Sequence, residues 1–89
     1  MKKINILIPI YNDWDSTTKL IKNIFLIISE INNFEFHFIL INDASTIPMP
    51  EFKIAKKIKS LKVINMKKNQ GHARCIAFGI KYLAKNNDF

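Results

Sequence analysis

Residues 34–45 read Phe-Glu-Phe-His-Phe-Ile-Leu-Ile-Asn-Asp-Ala-Ser. The stretch alternates, becomes fully apolar, and stops at Asn42-Asp43-Ala44-Ser45. Such a run, rich in β-formers and ended by turn residues, predicts a strand over Phe34–Ile41 that delivers a polar loop from its C-terminal end. Upstream, Ile4–Ile10 is a second run rich in β-branched residues, apolar on both faces, which predicts a strand of the kind found centrally in parallel sheets. Between them, Leu20, Ile21, Ile24, Phe25, Ile27, Ile28 and Ile31 recur at helical spacing from about Asp15, with Asp15 or Ser16 available as the cap. Downstream, Pro48 and Pro50 mark a loop and Phe52–Ile58 a short Lys-rich helix. Leu61–Met66 predicts a third strand and Gly71 to about Lys85 a final helix. The order β-α-β-α-β-α predicts an α/β, Rossmann-like fold with a mostly parallel sheet and right-handed crossovers.

In such sheets ligands bind beyond the carboxyl ends of the strands. Three polar loops fall there, at residues 11–16, 42–47 and 67–72. A dinucleotide fingerprint and a phosphate-binding loop are both missing, and Gly71 and Gly79 are the only glycines. A Ser-His-Asp or Cys-His arrangement is not legible, and Cys75, inside the last helix, reads as a small packing residue. One cysteine and two histidines exclude a disulfide scaffold and a zinc module. What remains is a set of strand-end side chains: Tyr11 and Asn12, Asp43 and Ser45, Asn69 and His72. A ring such as Tyr11 can stack on a base, a carboxylate such as Asp43 can accept from a ring N–H of uracil or guanine, and a helix start near Gly71 favours an anion. Each has a plainer reading. Tyr11 can cap the sheet edge, Asp43 with Ser45 and Thr46 can close an Asx or ST turn, and Asn69-Gln70-Gly71 can be a turn into the helix.

The 89 residues bound the chain to at most one domain, and 48% hydrophobic content counts against disorder. The net charge of +7 is uneven: residues 1–49 carry four basic and five acidic side chains, residues 50–89 ten and two. A basic half fits a polyanion partner or, more simply, a compositional bias towards Lys. Arg74 is the only arginine, which argues against a nucleic-acid surface. Met1-Lys2-Lys3 with Ile4–Ile10 resembles the start of a secretion signal, but Pro9, Asn12 and Asp13 interrupt it. No stretch approaches a membrane span, so a cytoplasmic chain is expected.

Ile8-Pro9-Ile10-Tyr11-Asn12, Ile41-Asn42-Asp43-Ala44-Ser45-Thr46 and Asn69-Gln70-Gly71-His72 with Ala77-Phe78-Gly79-Ile80 together resemble the start of family 2 glycosyltransferases of the GT-A fold. The resemblance covers essentially the whole chain. It implies a nucleotide-sugar donor, UDP- or GDP-linked, whose base packs near Pro9 and Tyr11 and hydrogen-bonds to Asp43, with Asn12, Ser45, Asn69 and Gly71 also at the nucleotide pocket. The segment from Asn69 to Ile76 is most similar to the branch that transfers sugars to polyprenyl or dolichyl phosphates, which implies work at the cytosolic face of a membrane. Ile76 and Ala77 stand where another branch carries Arg-Asn, and Asn42 stands where the first of two paired aspartates usually lies. In the family the next strand ends in an Asp-x-Asp motif that holds Mg²⁺ or Mn²⁺, and a later acid serves as base. The chain stops at Asn86-Asn87-Asp88-Phe89. Residues 1–89 are thus expected to be an incomplete domain, the nucleotide-binding N-terminal part, with no catalytic residue, no metal ligand and no transfer activity alone. The alternative is a small basic nucleotide- or RNA-binding α/β module.

Overall fold

The computed structural model of the chain describes residues 2–52 and 58–85. Strand β1 (Lys2–Ile10) leads to helix α1 (Trp14–Ile28), then β2 (Phe34–Asn42), β3 (Ile58–Asn65) and helix α2 (His72–Lys85). The three strands form one parallel sheet in the order β1-β2-β3. The α/β class and parallel topology agree with the sequence.

Alternation in the strands sorts the core into two halves. Even-numbered residues of β1 and β2, including Ile8, Ile10, Phe36, Phe38 and Leu40, pack with Trp14, Ile21 and Ile28 of α1. Ile39 and Ile41 face the other way, with Leu7 against Cys75 and Leu83 of α2. The sheet is therefore sandwiched between one helix on each side. Each fully buried Ile, Leu or Phe contributes about 1.5–3 kcal/mol, so the doubly apolar β2 anchors the whole unit. Gly79 lets α2 lie close: a Cβ there would stand 2.5 and 2.7 Å from the methyl groups of Leu7.

Four expectations need correction. β2, not β1, is the central strand among the described residues. The C=O of Ile10 accepts the N–H of Asp43 at 2.7 Å. Even residues of β1 thus point their backbone groups at β2 and odd ones away, so the missing N–H of Pro9 removes no ladder bond. Helix α1 starts at Trp14, ahead of the expected Asp15 or Ser16 cap. Its N-cap is Asp13, which makes no side-chain capping bond because its carboxylate accepts the N–H of Tyr11 at 2.9 Å. The helix ends at Ile28 instead of Ile31, because N–H groups of Glu30 and Ile31 bond three residues back in a tighter turn. Ile31 still packs on the core, so the apolar period holds beyond the helix. Finally, β3 begins at Ile58, where a helix end was expected, and stops at Asn65. The rest of that expected helix, residues 53–57, lies outside the described residues. Ile58 is buried beneath the α1 side of the sheet, and a bulge at Lys59 between the Phe36–Ile58 and His37–Ser60 pairs resets the register.

Candidate functional site

Parallel strands bring the three predicted loops to one edge, where side chains of each loop bind the backbone of another. Asn12 is the first hub. Its residue sits at φ 59, a left-handed conformation that Asn tolerates better than most. From there its Oδ1 accepts the N–H groups of Thr46 and Ile47 at 2.8 and 2.9 Å, and its Nδ2 donates to Thr46 Oγ1 at 3.1 Å. Its own N–H donates to Ser45 Oγ at 3.0 Å. Trp14 fastens the same loop from below, its buried indole N–H donating to the C=O of Ile47 at 2.8 Å.

Asp43 is the second hub. The residue has no exposed surface, and its two carboxylate oxygens accept the N–H of Gln70 at 2.7 Å and of Gly71 at 2.8 Å. Burial pushes its pKa up, but the Gln70 and Gly71 N–H groups, the Cys75 thiol and the positive charge available to His72 outweigh it and hold the carboxyl below the ordinary 3.8. The neighbouring Cys75 is pushed up to about 11 by burial, by its hydrogen bond to Asp43 and by that carboxylate's charge. A thiol so held is a packing and donor group, as the sequence suggested, and a poor nucleophile. Gly71 adopts φ +90, with open space where a side chain would project, so glycine is there for the turn rather than for room.

Asn42 joins the two hubs. Its Nδ2 donates to Asn65 Oδ1 at 2.9 Å while its Oδ1 accepts the N–H of Ser45 at 3.2 Å. An aspartate could do the second but has no hydrogen to donate, and it could meet Asn65 only as an acceptor with that amide turned over. The Asx turn considered for Asp43 is therefore made by Asn42, while Asp43 reaches across 27 and 28 residues of chain to Gln70 and Gly71.

Of the residues singled out from sequence, Asn12, Asp43, Ser45, Asn69 and Gly71 belong to this network, Asn69 through a long 3.4 Å bond to the C=O of Asp43. Pro9 and Tyr11 stand beside it. Tyr11 keeps 41% of its surface exposed at the edge. Pro9 lines a cleft of about 340 Å³ with Leu7, Asp13, Ser16, Leu20 and His72, open between the first turns of α1 and α2. The expected partner of a base, the Asp43 carboxylate, is enclosed, so only displacement of a Gln70 or Gly71 N–H would present it to a ligand. Sequence reasoning missed Trp14, Asn42 and Gln70 as members of the network. It also missed a polar trio at the opposite edge, where the bulge sets Ser60 Oγ 2.7 Å from His37 Nδ1, with Glu35 Oε2 3.4 Å from His37 Nε2.

The family model of glycosyl transferase family 2 matches residues 5–86, a span that takes in all three loops. The chain belongs to that family. No curated protein and no solved structure matches it. The family generally uses nucleotide-sugar donors, an acceptor and divalent metals. The described residues do not fit a metal: no three His, Cys, Asp or Glu side chains among them converge, and both Asp43 oxygens are engaged by N–H groups. No helix among the described residues is long and apolar enough to cross a membrane.

Proposed function

We propose that residues 1–89 form the nucleotide-binding part of a glycosyltransferase that takes a UDP- or GDP-linked sugar, and that by themselves they bind donor without transferring it. The observation that carries the reading is the locked edge: three motif-bearing loops, matched by one family model, tied by Asn12 and Asp43 into a single surface. The exposed face of Tyr11 and the cleft under Pro9 and His72 are what that surface offers a base and an anion. Asp43 acts as a positioning residue, holding the 69–71 turn at the start of α2. Asn12 and Ser45 fix the loop that faces it. The acceptor most in keeping with the Asn69–Ile76 segment is a polyprenyl phosphate, with transfer at the cytosolic face of a membrane.

Backbone amide NMR titrations with UDP, GDP and ADP test the donor site. Shifts should concentrate at Tyr11, Asn12, Asn69 and Gly71 and be larger for UDP or GDP than for ADP. Shifts scattered over the basic residues and equal for the three nucleotides would leave a general phosphate binder in its place. Donor turnover with Mn²⁺ above the metal-only background would refute the inactivity of the isolated chain.

A further inference from the structure

The second half of the described chain has a charge pattern that the donor edge does not use. Residues 58–85 contain seven Lys or Arg and no Asp or Glu. On α2, Arg74, Phe78, Lys81 and Lys85 recur at spacings of four, three and four, away from the buried line of Cys75, Gly79 and Leu83. Phe78 is 40% exposed amid these cations. Arg74, Phe78 and Lys81 line, with Met66, Gln70 and Ala77, a shallow cleft of about 300 Å³ beside exposed Lys67 and Lys68. Ile80, on the next face of the helix, leaves 48% of its surface in water.

Lysines ringing an exposed aromatic side chain suit a partner that is anionic at its surface and apolar just beneath. A solvated face would need the charges but not Phe78. RNA would favour arginine and several stacking rings, whereas this face has Arg74 as its sole arginine and Phe78 as its sole well-exposed ring. We propose that the β3–α2 face of the protein docks on an anionic lipid bilayer, with Lys67, Lys68, Arg74 and Lys81 against headgroup phosphates and Phe78 in the interfacial layer. The docking is peripheral. It depends on this surface alone and needs no nucleotide, so it stands or falls separately from the donor reading.

Co-sedimentation of the 89-residue chain with phosphatidylcholine vesicles, with and without about one third phosphatidylglycerol, tests it. Binding should require the anionic lipid and weaken as salt rises. Each basic residue near such a surface is worth about five-fold in partitioning, so Arg74→Glu with Lys81→Glu should lower binding at least roughly 30-fold. Lys67→Glu with Lys68→Glu gives an independent second pair in a loop. Lys19→Glu with Lys22→Glu makes the same change of net charge on α1 and should lower binding by no more than about three-fold, because screening confines the effect to charges near the surface. Phe78→Ser should weaken binding while leaving its salt dependence intact. Unfolding midpoints confirm that each variant is folded. Equal losses from the α1 and α2 pairs, equal binding to neutral vesicles, or tighter binding of single-stranded RNA than of vesicles at the same salt would each overturn the proposal.

Discussion

Replacing Asp43 by Asn exchanges one carboxylate oxygen for an NH₂ group and tests the assignment of this residue as a structural hub. The carboxylate accepts two backbone N–H groups, from Gln70 and Gly71, with no exposed surface. An amide of the same shape can accept one of them and must aim its own N–H₂ at the other. Hydrogen bonds to a charged acceptor contribute about 1.5–3 kcal/mol each, and a buried donor left unpaired costs about 1–3 kcal/mol. One bond weakened and one lost sum to about 2–4 kcal/mol. Relief from burying a charge offsets part of this. That the carboxyl is held below 3.8 in spite of burial shows that the bonds dominate. Against a total stability of about 5–15 kcal/mol, the loss is large.

The assay is urea unfolding of Asp43→Asn and the parent at pH 7, with hydrogen exchange of the Gln70 and Gly71 amides. The variant should unfold at lower urea, and exchange should accelerate first at residues 70 and 71. The pH dependence has a definite sign. A carboxyl with a lowered folded pKa contributes stability that is complete above its unfolded value and is lost as pH falls through the folded one. The parent should thus lose this contribution below about pH 4, whereas Asp43→Asn should lack that component of acid sensitivity. An unchanged urea midpoint together with unchanged exchange at Gln70 and Gly71 would refute the reasoning.

Three further outcomes follow from single contacts. Gly79→Ala gains about 1 kcal/mol of helix propensity but drives a methyl into Leu7, an overpacking of about 1–3 kcal/mol. Urea unfolding should show net destabilisation that disappears or reverses when Leu7→Ala is made in both backgrounds. Ala44 holds φ 60 without the excuse of being Gly or Asn, so Ala44→Gly should raise the unfolding midpoint by up to about 1 kcal/mol in stability, and an unchanged or lower midpoint would show the strain to be absent. Cys75, with its thiol pushed up to about 11, should react with a disulfide reagent at pH 8 no faster than the chain opens, and a rate independent of urea near the transition would contradict its burial.

The fold was legible because its strongest signals are periodic. β2 is apolar on both faces since both helices cover it, and α1 shows its stripe because one side meets the sheet. Boundaries were less legible where a single tertiary bond decides them. Trp14 enters α1 because its ring is buried and its N–H reaches Ile47, a partner 33 residues away. Ile58 joins β3 because the sheet buries it, although the lysines around it read as a helix surface. The site was visible as a cluster of loops but not as a network. Nothing in the order of residues says that Asn12 serves loop 42–47, or that the bulge at Lys59 would turn Ser60 towards His37.

Most of the motif positions singled out from the sequence bond backbone groups of a neighbouring loop, and the reason lies in the topology. Three parallel strands ending together expose several loop N–H groups at one edge, and those that are buried need acceptors. Asn12, Asn42 and Asp43 supply them, so five loop N–H groups, of residues 45, 46, 47, 70 and 71, end on their side-chain oxygens. An edge organised this way loses little further freedom when a ligand arrives, because the ordering has already occurred on folding. Spacing between such residues is constrained by strand register as much as by chemistry. A family pattern built on them therefore records how the loops are tied to one another, and what the edge leaves open to solvent is the Tyr11 ring, the cleft beside Pro9 and the exposed His72 at the start of α2.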